Sequence, residues 1–114
     1  MLHIRRLRLM DGEPLAIMQN WIPASLLNTT KAELEDAGLY DLMRRQGLNI
    51  RVAHQRIGAA IAAANDARLL NVKPGAALLV MERTAFDDGG RVIETSSHKY
   101  RADSYSFQTT LVAR

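Results

Sequence analysis

The chain has 114 residues, of which 47% are hydrophobic and 24% are charged, and these proportions are typical of one globular domain rather than a disordered chain. The formal charge of +3 is spread along the sequence, which argues against a dedicated nucleic-acid binder, because such proteins usually carry a basic stripe. The absence of Cys excludes disulfides, thiolate metal sites and cysteine nucleophiles, and it fits a reducing cytoplasm. Since neither a run of about 18 apolar residues nor a signal peptide can be recognised, we expect a cytoplasmic protein without membrane contact.

The first predicted element is a β-hairpin. Apolar and charged residues alternate over Ile4–Met10, which indicates a strand. Asp11-Gly12 is a strong two-residue turn signal, because Gly accepts a positive φ at little cost. A second strand is expected over Pro14–Ile22.

Two short helices are predicted next. Thr30 and Glu33 have the spacing of a capping box, so a helix should begin there and end near Gly38. Apolar residues at helical spacing over Leu39–Met43 indicate a second helix, which Gly47 ends.

The middle of the chain is less regular. Leu48–Gly58 is predicted to be extended, whereas Ala59–Ala64 fits a helix or a strand equally well. Asn65-Asp66 can cap a third helix that runs through Leu70. Lys73-Pro74-Gly75 indicates a turn.

The last third predicts a second hairpin. The strands are Ala77–Phe86 and Arg91–Tyr100, joined by the loop Asp87–Gly90. A final extended segment, Phe107–Ala113, could close the sheet. Two hairpins with helices between them predict an α+β fold, an antiparallel sheet with helices on one side.

Arg6 and Arg8 form the first candidate site. They are two residues apart on a strand and so point to the same side. Paired guanidinium groups suit a carboxylate or a phosphate, which they can bind through two hydrogen bonds each. Two solvated surface arginines would show the same pattern, and the pattern alone leaves both readings open.

A row of polar residues on the last strand forms the second candidate. Glu94, Ser96, His98 and Tyr100 share one face, which lines a pocket or faces water. The segment Tyr100–Tyr105 follows, with a carboxylate and two tyrosines that serve either structural bracing or ligand contact.

Catalytic and metal-binding patterns are missing from the sequence. His3, His54 and His98 lie far apart without the spacing of a zinc site. There is no nucleophile elbow, phosphate-binding loop or dinucleotide fingerprint. The residues therefore predict a domain that binds a small anion, without a metal, a cofactor or enzymatic activity.

Short segments spread over nearly the whole chain resemble a known family. They are Arg6-Leu7-Arg8, Asp11–Leu15, Trp21–Pro23, Gly38–Leu42, Gly47–Ile50, Asp66–Leu70, Pro74–Leu79, Glu82-Arg83, Val92–Glu94 and Tyr100–Tyr105. None is specific alone, but their order and spacing resemble the UTRA domain, the effector-binding domain of GntR-type transcriptional regulators of the HutC subfamily.

The resemblance implies a chorismate-lyase-like fold, in which an antiparallel sheet with flanking helices holds an effector cleft. In relatives an Arg-x-Arg pair, a carboxylate of the last hairpin and a later tyrosine contact small effectors, including phosphorylated sugars and organic acids. These positions match Arg6, Arg8, Glu94 and Tyr100. Tyr40 matches the tyrosine of a Ser-Leu-Tyr segment near the same cleft.

Two departures from the family pattern bear on the effector. Met18 stands where many sugar-phosphate sensors carry Glu, and Gly38 stands where they carry Ser before Leu-Tyr. The first change removes a group that binds hydroxyls, and the second removes a possible phosphate donor. A carboxylated or more apolar effector is therefore favoured over an amino-sugar phosphate.

The resemblance implies that residues 1–114 form an effector-binding domain that lacks its N-terminal part and the winged helix-turn-helix domain. We expect a homodimer that binds a small anionic effector and reaches DNA only through that missing domain. A chorismate-lyase-like enzyme is the main alternative, because a fold does not determine a function. A dimerisation module without a ligand is the other.

Overall fold

An antiparallel sheet of five strands forms the centre of the computed structural model, which describes residues 1–113. In chain order the elements are β1 (Leu2–Met10), β2 (Glu13–Ile22), α1 (Lys31–Ala37), α2 (Leu39–Arg45), β3 (Val52–Ile61), α3 (Ala64–Leu70), β4 (Ala77–Phe86) and β5 (Val92–Arg101). The order across the sheet is β1-β2-β5-β4-β3. The predicted α+β class, with an antiparallel sheet and flanking helices, is confirmed.

Both predicted hairpins are present. Asp11 and Gly12 have positive φ angles of 52° and 80°, which give a turn whose twist matches that of the flanking strands. In the second hairpin, Asp87 Oδ1 accepts hydrogen bonds from the backbone N–H groups of Gly89 and Arg91 at 3.0 and 2.9 Å. Because β2 pairs with β5, the two hairpins join into one sheet.

The first two helices also follow the prediction. Thr30 Oγ1 accepts a hydrogen bond from the backbone N–H of Glu33 at 3.2 Å, which caps α1. Gly38, with φ at 78°, separates α1 from α2. Leu39 and Met43 on α2 are buried, as their helical spacing predicts.

Two boundaries differ from the prediction. β3 runs to Ile61 and begins at Val52 rather than at Leu48, because its ladder with β4 outweighs the low β-propensity of the alanines near its end. The N-cap of α3 is Ala63, without a side-chain cap. Asp66 instead accepts a hydrogen bond from Lys99 Nζ at 2.7 Å.

The predicted closing strand is wrong, because Phe107–Ala113 adopts no regular structure. Its Phe107 and Leu111 side chains are exposed. β-branched and apolar residues form a strand only where a neighbouring strand and a core surface accept them, and this segment pairs with neither edge of the sheet.

The helices cover both faces of the sheet rather than one. The face that carries Arg6 in β1 and Arg83 in β4 is called the site face below. At one end of it, α1 and α2 pack in a core that includes Ile4, Ile22, Leu39, Met43 and Ala85. On the opposite face, α3 packs in a core of Ile17, Ala62, Ala67, Leu70 and Leu78. The expectation of one helical layer is therefore wrong, since apolar residues of β2 and β4 project to both sides.

Candidate functional site

A series of hydrogen-bonded polar side chains crosses four neighbouring strands of the site face. Arg6 Nη2 on β1 donates to Asn20 Oδ1 on β2 at 3.1 Å. Asn20 Nδ2 in turn donates to Glu94 Oε2 on β5 at 2.8 Å. From the other side, Arg83 Nη2 on β4 donates to Glu94 Oε1 at 3.1 Å. These four residues, called the charge network below, follow the order of the strands in the sheet.

Glu94 is the centre of the charge network. Its side chain and that of Asn20 have no solvent-exposed surface, and both carboxylate oxygens accept protein hydrogen bonds. The register between β4 and β5 shifts beside it, so that Ile93 has no direct partner; such bulges redirect side chains near functional sites. A buried carboxylate is stable only when it is paired, and here Arg83 pairs with it directly while Arg6 is linked to it through Asn20.

Tyr40 connects the charge network to α2. Its hydroxyl accepts a hydrogen bond from Arg83 Nη2, and its ring centroid lies 5.0 Å from the Arg83 guanidinium carbon, within the range of a cation–π contact. Burial, followed by the nearby negative charge of Glu94, raises the pKa of Tyr40 to about 12. The hydroxyl therefore keeps its proton across the physiological range.

His98 also lies on the site face, on β5. It is two residues after Ser96, which pairs with Arg83 on β4. Its Nδ1 is 3.4 Å from the hydroxyl of Tyr100. Burial lowers the pKa of His98, and the positive charge of Arg6 lowers it further. The imidazole is therefore mostly neutral near pH 7. Tyr100 is buried and stacks on Tyr105 with ring centroids 4.2 Å apart.

Three buried nitrogens of this region have no hydrogen-bond partner within the described chain. They are the Nε atoms of Arg6 and Arg83 and the Nε2 atom of His98. A buried donor without an acceptor costs about 1–3 kcal/mol. Two of the three belong to guanidinium groups, so this part of the site face carries positive charge that is not fully paired within the described residues.

A cavity of about 330 Å³ opens on the α2 side of the charge network. Tyr40 and Arg83 line it together with Met43, Leu48 and Ile50. Its size falls in the lower range of small-molecule pockets. The charge network therefore borders a cavity that could hold part of a small ligand.

The structure brings most of the predicted site residues together. Arg6, Tyr40 and Glu94 belong to one connected set of contacts, and Tyr100 adjoins it through His98. Arg8 lies on the site face opposite Ala16 but is exposed. A pair that binds an anion is predicted to be partly buried, because a desolvated guanidinium binds more strongly than an exposed one. This holds for Arg6 and is wrong for Arg8, because the small Ala16 side chain neither covers Arg8 nor offers it an acceptor.

Sequence reasoning missed two members of the charge network. Asn20 and Arg83 were not predicted as site residues, although each is a polar residue that shares its strand face with apolar residues, Met18 and Ile22 beside Asn20 and Met81 and Ala85 beside Arg83. That signal was available, since a strand buried on one face places such residues either in water or in a polar cluster. Which of the two applies depends on the strand order, which the sequence pattern leaves open.

The described residues hold no group of three or more His, Cys, Asp or Glu side chains that could bind a metal ion. Over the same part of the chain, no helix is long and apolar enough to span a membrane.

The fold described above is an α+β domain whose site face carries two partly exposed arginines. The family model described as "UTRA domain" matches residues 1–106, which is most of the chain. The chain therefore belongs to the UTRA domain family, whose members are effector-binding domains of GntR-family transcriptional regulators.

Curated relatives and solved structures agree with this family. The transcriptional repressor NagR of Bacillus subtilis is 30% identical over 105 residues, which cover 91% of this chain and 43% of the repressor. The transcriptional regulator GgaR of Escherichia coli strain K12 is 29% identical, with 91% of this chain and 41% of that protein covered. This chain thus spans about two fifths of the length of these relatives.

Among solved structures, a transcriptional regulator from Streptomyces coelicolor is 46% identical, with a TM-score of 0.93 over 98% of this chain and 75% of that one. The ligand-binding domain of a GntR-family regulator from Bordetella bronchiseptica is 28% identical, with a TM-score of 0.85 over 96% of this chain and 70% of that one. Because the relatives are transcriptional regulators, the chain is a regulatory domain and the enzyme alternative is set aside.

Proposed function

We propose that this chain is the sensor of a transcriptional regulator and binds a small anionic effector at the charge network. The observation that carries the proposal is that Arg83 pairs directly with the single buried carboxylate of Glu94, while Arg6 is linked to the same carboxylate from the other side through Asn20. Two guanidinium groups against one carboxylate leave one uncompensated positive charge. Since a guanidinium binds carboxylates and phosphates through paired hydrogen bonds, an anion is the matching ligand.

The roles of the residues follow from their exposure. Glu94 is fully buried and has donors on both oxygens, so it holds the arginines in place rather than contacting the effector. Arg6 and Arg83 are partly exposed and offer the effector their remaining N–H groups. Arg8, exposed at the rim, attracts the anion, while Tyr40 and Tyr100 form walls of the site.

Regulation requires that the effector distinguish two states of the whole protein. An anion held by Arg6 on β1 and by Arg83, which contacts Tyr40 on α2, links an edge of the sheet to a helix. Binding would shift the position of β1 relative to α2. If this shift is transmitted to a winged-helix domain outside these 114 residues, the affinity of that domain for DNA changes by the coupling free energy between the two sites. The transcriptional relatives support a cytoplasmic location.

An Arg6→Lys variant tests the proposal. We expect at least tenfold weaker binding of sodium acetate and of sodium phosphate, since lysine cannot reproduce the planar paired contact and a hydrogen bond to a charged group contributes about 1.5–3 kcal/mol. Binding would be measured by titration of the amide chemical shifts.

Arg5→Lys is the matched control, because Arg5 precedes Arg6 on the same strand and projects from the opposite face. Its anion affinity should stay within twofold of the original. Equal affinities of the Arg6 variant and the original chain would refute the anion site.

We also propose that the domain forms a homodimer. All ten residues of the edge strand β3 are exposed, and its apolar Val52, Ile57 and Ile61 are among the exposed large hydrophobic residues. An open edge strand offers unpaired backbone groups with which another chain can pair, and two-fold dimers are the commonest assemblies of identical chains. Sedimentation velocity should give twice the chain mass of 12.7 kDa. A species of single-chain mass at high micromolar concentration would contradict the dimer.

A further inference from the structure

We propose, building on the anion site above, that the effector is an amphipathic monocarboxylate. Its carboxylate would lie among Arg6, Arg83 and His98, and its apolar body would lie across the site face on Met18, Leu79 and Met81. These last three residues are called the apolar floor below.

The charge of the site matches a monoanion. Arg6 and Arg83 together carry two positive charges and Glu94 carries one negative charge, which leaves one. His98 adds no full charge because its environment favours the neutral imidazole. Arg8 is exposed, so solvent screens its charge. A single carboxylate therefore balances the inner site, and its two oxygens can accept from the remaining N–H groups of the partly exposed Arg6 and Arg83.

The apolar floor follows from the register of the sheet. Met18 on β2 and Met81 on β4 lie directly opposite His98 on either side of it. Leu79 lies opposite Tyr100 in the next row. Because residues directly opposite each other in an antiparallel pair project to the same face, all of them share the site face with Arg6.

The apolar floor is incompletely covered by the protein itself. Met18, Leu79 and Met81 are only partly buried around the small core of Leu15, Ala16 and Tyr100. A hydroxyl-rich ligand would lose water there and find thioether and methyl groups in return, which is unfavourable. An apolar chain would gain by burial, and methionine side chains adapt to ligands of different shape.

The cavity beside α2 is a second place where the apolar body could lie, since Leu48 and Ile50 line it. Of Arg6, Arg83 and His98, however, only Arg83 lines this cavity. Arg6 and His98 belong to the row that contains Met18 and Met81. A ligand whose carboxylate lies between Arg6 and Arg83 therefore has the apolar floor beside it.

The test compares the dissociation constants of acetate, butanoate, hexanoate and glucose 6-phosphate for the 114-residue chain. We expect affinity to rise about twofold to fourfold for each added methylene, fourfold being the value for complete burial at about 0.8 kcal/mol per CH₂. Hexanoate should bind more tightly than glucose 6-phosphate. A series without dependence on chain length, or tighter binding of glucose 6-phosphate, would overturn the monocarboxylate.

Variants locate the apolar body. Met18→Gln and Met81→Gln, which nearly preserve side-chain length, should each weaken hexanoate binding at least fivefold and leave acetate binding within twofold. Ile50→Gln, in the cavity beside α2, is the control and should change neither. If it alone weakens hexanoate binding, the proposed placement is wrong.

Different results would refute the proposed anion site and the proposed ligand class. Acetate binding that depends on Arg6 but does not strengthen with chain length would leave the anion site standing and remove the monocarboxylate. If none of the four ligands binds, the anion site itself is refuted, and the ligand class with it.

Discussion

Replacing Glu94 with Ala is expected to lower the free energy of unfolding by about 3 kcal/mol. Removal of one partner from a buried ion pair costs about 3–5 kcal/mol, because the other charge remains buried without compensation. We expect the lower end of this range, since the Arg83 side chain is 26% exposed and regains some water. Asn20, which is fully buried, would lose an acceptor at the same time.

The comparison is with Asp41→Ala in urea denaturation followed by circular dichroism. Asp41 pairs with Arg44 and Arg45 on the surface of α2, where the arginine side chains are 63% and 64% exposed. Exposed pairs contribute about 0–1 kcal/mol, so this variant should change stability little. A loss below about 1 kcal/mol for the Glu94 variant would show that the buried carboxylate does not stabilise the sheet.

Leu70→Ala is expected to cost about 2–5 kcal/mol of stability, the range for truncation of a buried leucine. Leu70 has no exposed surface and anchors α3 on the face opposite the site, in contact with Ile17 and Leu78. The shortened side chain would leave a cavity that a seven-residue helix can close only by moving. The midpoint of urea unfolding measures the loss.

Leu69→Ala is the matched control, because the preceding residue of the same helix is 37% exposed. We expect a change within about 1 kcal/mol there, since little apolar area is lost. Acetate binding should be the same for both variants, because α3 and the charge network lie on opposite faces. Equal destabilisation by the two variants would contradict the packing described for α3.

Local signals in the sequence were sufficient for the hairpins and for the first two helices. Asp11 and Gly12 adopt the positive φ angles that their residue types favour, and Thr30 caps α1 as its spacing with Glu33 indicates. In these places the local preference and the tertiary structure agree.

Elements that depend on distant partners were predicted less well. The composition of Phe107–Ala113 suits an extended segment, but neither edge of the sheet pairs with it. The alanines at the end of β3 have little preference of their own, and only their ladder with β4 makes them a strand. A sequence pattern indicates that a segment is able to form a strand, whereas pairing with a neighbouring strand determines whether it forms one.

Among the site residues, too, some were identified from the sequence and others depend on the strand order. The predicted Arg6, Tyr40 and Glu94 are in one network, but Asn20 and Arg83, which connect them, were missed. They become neighbours only because β2 pairs with β5 and β5 with β4. Strand order is a global property, so the connecting residues were not identifiable from any one segment.

The hydrogen bond between Asn20 and Glu94 joins residues 74 positions apart in the sequence. It forms only when the first hairpin docks on the last, which requires that most of the chain has been synthesised and the long loop between them has closed. A partly folded chain therefore lacks the charge network. A ligand present at one hundred times its dissociation constant would add about 2.7 kcal/mol to the stability of the native state alone. In a cell, the effector would therefore have two effects on the newly folded domain. It would regulate the domain and would also protect it from proteolysis.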